Sequence, residues 1–190
     1  DDLFVAKFDK NGRRLWAKAF GGVDVDIPHS IATDSSNHIY LCGEFRQRVT
    51  FGAKTLVSKG QSDIFLVKLS PSGDVLWLRS FGSVADDVGR TLAVDSKDDV
   101  LLAADFSRQI DFGLGDVMSN GNADVVVLKF NSEGQIYWNQ SFGNHFYDVV
   151  LDLAVDPADN VVIGGGFEDV LDLGGKTLTS KGRTDALIVK

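Results

Sequence analysis

Two sets of side chains in this sequence are of types that could do chemistry and recur at one fixed spacing. Asp26, Asp87 and Asp148 stand 61 residues apart, with Asp24 and Asp86 beside the first two. Carboxylates gathered in a loop supply the hard oxygen ligands that Ca²⁺ takes. No D-x-D-x-D-G run with a bidentate Glu at the required distance accompanies them. Capping of loop N–H groups by the carboxylate is therefore the expected role, with Ca²⁺ as the alternative. Trp16, Trp77 and Trp138 keep the same spacing. Indole faces can serve as stacking platforms for sugars. A large aromatic inside a strand is more often a packing element, and a wedge between repeated units is the expected role.

The remaining reactive residue types do not form a constellation. His29, His38 and His145 have Arg90, Asp99 and Val84 as counterparts in other copies, and no two histidines have ligand spacing on a strand or helix. Cys42 corresponds to Ala103 and Gly164, which marks a small, buried position. A single cysteine excludes an internal disulfide and leaves the redox compartment open. Gly164-Gly165-Gly166 ends a strand with no helix after it, so it does not cradle a phosphate. There is no G-x-S-x-G, P-loop or C-x-x-C. No catalytic, cofactor-binding or metal residue is assigned, and the chain is expected not to be an enzyme. Two carboxylates converging from separate loops would be the route to a hydrolase or lyase, but no pair is nominated.

The spacing itself defines the organisation. Asp2–Phe20, Asp63–Phe81 and Asp124–Phe142 are three copies of one pattern, and a fourth begins at Asp185. Gly12, Gly73 and Gly134 keep the same register. A fixed period of this size denotes a repeat architecture. Residues 1–190 are read as one repeat domain, with repeats at 2–62, 63–123 and 124–184 and the start of another at 185–190. In the second copy, strands are expected at Ile64–Leu69, Val75–Phe81, Thr91–Val94 and Val100–Phe106, with a long connection over 107–123. Gly73 sits where a hairpin turn needs a positive φ. Asp34, Asp95 and Asp156 open a second tight turn as Asx residues, and Asn37, Asp99 and Asn160 are its expected left-handed positions. The long connections differ between copies at Arg46-Gln47-Arg48, Ser107-Arg108-Gln109 and Glu168-Asp169-Val170. Constant strands with variable loops are a common layout for a binding face, although solvated loops also vary.

Runs such as Phe65-Leu66-Val67 and Val125-Val126-Val127 are continuously apolar, which indicates sheets covered on both faces. Four-stranded antiparallel units stacked in series satisfy this, as in the blades of a β-propeller. The chain is 44% hydrophobic and 24% charged, contains 20 Gly, and shows no amphipathic helical stretch. Its net charge of −8 with scattered Lys and Arg gives no electrostatic case for nucleic acid or an anionic membrane. No apolar run approaches the length of a membrane-spanning helix.

Asp2–Trp16, followed by Phe20-Gly21-Gly22, Ile31-Ala32-Thr33-Asp34 and Ile39-Tyr40-Leu41, resembles the SBBP-type bacterial β-propeller repeat. The later copies match at Leu92-Ala93-Val94-Asp95 and Leu153-Ala154-Val155-Asp156. The resemblance departs at Ser36, Asp98 and Asp159, where that repeat has Gly, and in the longer connection around Phe51-Gly52, Phe112-Gly113 and Leu173-Gly174. It implies an extracellular or cell-surface bacterial protein, with a periplasmic setting as the variant.

The expected fold is all-β: a β-propeller arc of about three four-stranded antiparallel blades, part of a larger propeller. The innermost strand of each blade should end at Asp34, Asp95 or Asp156. The expected function is a non-catalytic scaffold for protein interaction. Expected partners are further blades of its own chain, copies of itself, or surface proteins and glycans. A lectin-like carbohydrate-binding propeller and a portion of a propeller hydrolase or lyase are the alternatives.

Overall fold

The computed structural model describes residues 2–190; Asp1, the first residue of the expected domain, lies outside them. The described chain is all-β and antiparallel within its sheets. A hairpin of β1 (Leu3–Phe8) and β2 (Arg14–Gly22) comes first. A complete blade follows, in which β3 (Asp26–Thr33), β4 (Ile39–Phe51), β5 (Lys54–Leu69) and β6 (Val75–Phe81) each pair with the next, and the end of β2 also pairs with β4 at Gly21–Thr50 and Gly22–Val49, joining the hairpin to this sheet. The second blade contains β7 (Val88–Val94), β8 (Val100–Phe106), β11 (Asp124–Phe130) and β12 (Ile136–Phe142), in the order β12-β11-β8-β7. Between β8 and β11 lies a small hairpin of β9 (Gln109–Asp111) and β10 (Asp116–Met118). A three-stranded sheet closes the series: β13 (Val149–Val155), β14 (Val161–Phe167) and β17 (Asp185–Val189). Its inserted hairpin is β15 (Val170–Asp172) with β16 (Thr177–Thr179). The first strands of the three sheets, β3, β7 and β13, lie side by side, as the innermost strands of adjacent blades do.

Blades stack through two-sided burial, and the apolar runs provide it. In β5, Ile64 and Leu66 face the following blade with Val126, Leu128 and Phe130. Phe65, Val67 and Leu69 face back onto Leu3, Val5 and Phe20. Alternate residues of one continuous apolar strand thus serve two interfaces. Stacking continues at the third sheet, where Val125, Val127, Val150, Leu153 and Ile163 form one cluster.

Three sequence expectations need correction. The third strand of the repeat begins at Val88 rather than Thr91, because a β-bulge between Gly89 and Thr91 absorbs Arg90 and restores pairing with β8. The left-handed residues of the second tight turn are Asn37, Asp98 and Asp159 (φ 64°, 64° and 61°), not Asp99 and Asn160. The Asx bonds set this register: Asp95 Oδ1 accepts the N–H of Lys97 and of Asp99, leaving Asp98 at the corner. The long connection is not a plain loop. In each repeat it holds a hairpin that caps the gap between blades. Phe112 packs on Phe81 and Phe106, Phe51 on Phe20 and Phe65, and Leu173 beside Phe142.

Candidate binding face

The two ends of each blade differ in chemistry. One end carries the tight turns, which are tied to one another. Ser35 N and Oγ both donate to Asp98 (2.9 and 2.6 Å), and Ser96 repeats the pattern on Asp159 (3.0 and 2.7 Å). Trp16 Nε1–H donates to the Pro71 carbonyl (3.1 Å), and Trp77 Nε1–H to that of Ser132 (2.9 Å). Lys7 and Lys68 reach the same two carbonyls. Each indole also lies on the turn glycine of the next blade, since a Cβ at Gly73 or Gly134 would come within 3.1 or 3.0 Å of it. Trp16 and Trp77 are therefore latches between blades. Trp138, the third of the set, is 37% exposed.

Two of the periodic aspartates, Asp87 and Asp148, are bound to backbone, whereas both carboxylate oxygens of Asp26 are buried without a hydrogen-bond partner among the described residues. Asp87 accepts Ser83 N–H (2.6 Å) and Ser107 N–H (2.8 Å), joining the loop between blades to the base of the inserted hairpin. Asp148 accepts Asn144 N–H (2.7 Å), and Asp26 lies beside the Gly22 N–H at the equivalent position. Asp87 and Asp148 each face a second buried carboxylate, Asp63 and Asp124, and Asp26 lies near the exposed Asp2. Asp63 accepts Lys59 N–H (3.0 Å) and covers Gly82. Asp124 does the same with Asn120 N–H (2.9 Å) and Gly143. Burial, with the neighbouring Asp63 adding to it, pushes Asp87 up to about 6; burial with Asp2 nearby does the same to Asp26, also to about 6. Burial also raises Asp63, Asp124 and Asp148. Among the described residues, no group of three or more His, Cys, Asp or Glu is arranged to hold a metal ion.

The opposite end gathers the variable residues. Parallel bridges Ser62–Asp86 and Ala123–Tyr147 bring the loops between blades against the long connections on this face. A cleft of about 360 Å³ opens there, lined in part by Asp86, Arg90, Asp105, Arg108, Asn122 and Tyr147. Arg90 Nε donates to Asp105 Oδ2 at 2.6 Å, and Asp105 Oδ1 accepts Val150 N–H from the next blade at 3.0 Å. Burial outweighs both partners and raises Asp105. The equivalent pair one repeat earlier is His29–Glu44 at 3.4 Å. There the hydrogen bond from His29 exceeds the effect of burial and lowers Glu44. Arg46 reaches Asp86 at 3.6 Å. In the third repeat the pair becomes Leu151 and Gly166. The same backbone positions thus carry different chemistry in each blade. Arg108 and Tyr147 are exposed at the mouth of the cleft.

Gln47, Arg108 and Asp169, one from each variable triplet, have left-handed φ of 53°, 63° and 57°. They turn the chain from the blade strand into the inserted hairpin and point their sequence differences onto this face. The histidines are apart: His29 on Glu44, His38 on Asp34, and His145 on the Asn120 carbonyl. Cys42 is fully buried, and burial pushes its thiol up. The Arg90–Asp105 pair was not anticipated from sequence. Its signal was the pair of positions 29/44 and 90/105, a basic residue type opposite an acid in two copies.

Blades of this topology, stacked through their faces around adjacent inner strands, make the fold a β-propeller arc. An uncharacterized WD repeat-containing protein of Acanthamoeba polyphaga mimivirus is 24% identical over 196 residues, covering 87% of this chain and 14% of its own length. The chain thus corresponds to about one-seventh of that relative. No protein-family profile matches the chain.

Proposed function

We propose that this chain is a non-catalytic scaffold that binds other proteins through the cleft face, and that it is an SBBP-type repeat of an extracytoplasmic or cell-surface bacterial protein. The observation that carries the binding reading is the contrast between the two ends of the blades. At the turn end, the repeated polar groups are bonded to the neighbouring blade. At the cleft end, the paired positions 29/44, 90/105 and 151/166 change from His–Glu to Arg–Asp to Leu–Gly while the strands beneath them keep one register. A rigid frame presenting position-specific charge suits recognition of an extended polypeptide, whose amides and side chains can meet Arg108, Asn122 and Tyr147. The WD-repeat description of the mimiviral relative supports a propeller used as a scaffold. The SBBP-type motifs support the repeat type and, through it, the setting.

The carbohydrate reading loses its main support, since the Trp16 and Trp77 side chains are engaged with the next blade. The test is selection from a displayed random peptide library, followed by binding to Tyr147→Ala and Arg108→Glu. Selected peptides that lose at least tenfold in affinity to both variants are the expected result. A library that yields no binder, alongside binding on a glycan array, would replace this reading with the carbohydrate one.

A further inference from the structure

The 360 Å³ cleft shares Arg108 with a second cleft of about 470 Å³, which is bordered by Lys59, Val84, Asp111 and Asp116. Both are built from the two complete blades and the loops that leave them. Every carboxylate lining them is engaged within the fold. Asp86 accepts the Ser62 hydroxyl at 2.9 Å and meets Arg46 at 3.6 Å. Asp105 holds Arg90 and the Val150 N–H. Asp111 accepts the N–H groups of Gly113 and Gly115 (2.7 and 3.1 Å), and Asp116 accepts Gln109 Nε2–H (2.6 Å).

Two of the cations are not engaged. Arg108 and Lys59 are hydrogen-bonded through backbone atoms alone, and neither side chain forms an ion pair among the described residues; the charge of Lys59 reaches buried Asp63 only through space. The side-chain amides of Gln61 and Asn122, exposed in the first cleft, are also without a hydrogen-bond partner among the described residues. The free capacity of this face is thus mainly that of donors and cations. A guanidinium is a planar fork of N–H groups that meets a carboxylate through two bonds. Arg108 also breaks the period, since its counterparts are Gln47 and Asp169. Apolar surface lies in each cleft beside it: Tyr147 is 57% exposed in the first and Val84 is 75% exposed in the second.

We propose that the polypeptide bound at this face is acidic: an extended segment whose Asp or Glu carboxylate is held by the Arg108 guanidinium, with a second carboxylate on Lys59 and apolar neighbours against Tyr147 and Val84. This specificity rests on the peptide-binding reading of the cleft face and names its ligand. A basic segment would have to compete with Ser62, Arg90 or Gln109 for carboxylates already bonded, and a neutral one would leave both cations unpaired. The net charge of −8 repels acidic segments from the rest of the surface, and at about 0.15 M salt that repulsion is screened beyond roughly 8 Å. Attraction is therefore confined to the two clefts.

Peptides recovered from the displayed library are synthesised with a fluorescent label and titrated against the chain by anisotropy. Asp and Glu should be enriched among them. At least one single Asp→Asn or Glu→Gln replacement in a recovered peptide should weaken binding by about tenfold, the size of a charge-assisted hydrogen bond. Against Arg108→Gln the same replacement should cost less than about twofold, because its partner is already gone. Lys59→Gln should show this pattern at a different peptide position. Both variants alter exposed side chains, and unchanged far-UV circular dichroism verifies their fold. Selection on Arg108→Glu should return peptides rich in Lys or Arg instead. Wild-type binders that depend on Tyr147 and Arg108 yet lack acidic enrichment, are rich in Lys or Arg, or tolerate every Asn and Gln replacement would overturn the acidic specificity and leave peptide binding standing. A library that yields no binder would remove both.

Discussion

Replacing Trp77 by Ala tests whether the repeated tryptophans hold blades together. Trp77 is 9% exposed, packs on Tyr40 with ring centroids 5.9 Å apart, and lies under Arg79 at 5.8 Å. Its N–H is bonded to Ser132 O, and Gly134 sits against its ring. Truncating a buried Trp to Ala costs about 3–5 kcal/mol. Of that, about 1 kcal/mol is the hydrogen bond, which Trp77→Phe isolates while keeping most of the apolar area. Gly134→Ala reports the same contact from the other side. Its cost has two parts, the positive φ of 77° and the approach of the new Cβ to the indole at 3.0 Å. Only the second part depends on Trp77. In the double variant the Cβ has space, so the two losses should fall short of additive by about 0.5–3 kcal/mol, the range for residues in contact. The assay is urea unfolding followed by far-UV circular dichroism, which does not rely on the fluorophore being removed. A loss below about 1 kcal/mol for Trp77→Ala, or strict additivity with Gly134→Ala, would refute the latch.

Stability should rise as pH falls from about 7.5 to 5. Asp87 has its folded-state pKa raised from 3.8 to about 6, so its ionisation opposes folding, and the stability it withholds returns as the carboxyl protonates. The two pKa values differ by about 2 units, so the full effect is on the order of 3 kcal/mol, roughly half of it regained by pH 5. Asp26 acts in the same direction. Below about pH 4 the trend reverses. Burial would raise Asp95 and Asp34, but Lys129 and the Lys97 and Asp99 N–H groups outweigh it for the first, as the His38 N–H and ring do for the second, and protonation forfeits those contacts. Chemical denaturation across pH 3–8 gives the curve, and a monotonic fall from pH 7.5 to 5 would contradict the assignment. Gly82→Ala should destabilise by about 1–3 kcal/mol, as overpacking does, because its Cβ would lie 2.0 Å from Asp63 Cγ. Asp63→Ala in the same chain should recover part of the loss, and failure to do so would disconnect the pair. Lys129→Met leaves the buried Asp95 carboxylate, 2.7 Å from Lys129 Nζ, without its cation. It should cost about 3 kcal/mol, the low end for a broken buried pair because two backbone N–H groups remain. A neutral Lys129→Met thermal midpoint would show that the pair contributes nothing.

How far the sequence reveals this molecule follows from which interactions are local. Strand positions, Asx turns and the positive φ at Gly73 are set within a few residues, and each was readable from residue type and spacing. Even the two-sided burial of β5 was legible, since Phe65-Leu66-Val67 leaves no polar face to point at water. The inserted hairpins were not. Their arms pair only three or four residues, and their stability comes from Phe51, Phe112 or Leu173 packing on a blade that the local sequence does not specify. The aspartates and glycines show the same limit from another direction. Asp63 and Gly82 recur at one period, and Gly82 reads as a flexible turn residue on its own. Only in three dimensions does the carboxylate occupy the volume a Cβ would need, so that the two positions form one steric unit. Periodicity hid this, because every residue kept for packing, capping or latching repeats at 61 and none is distinguished by spacing alone. Positions that break the period are the ones to examine for recognition. His29, Arg90 and Leu151 are such a set, and the fold brings them to neighbouring inner strands on the cleft side of the arc.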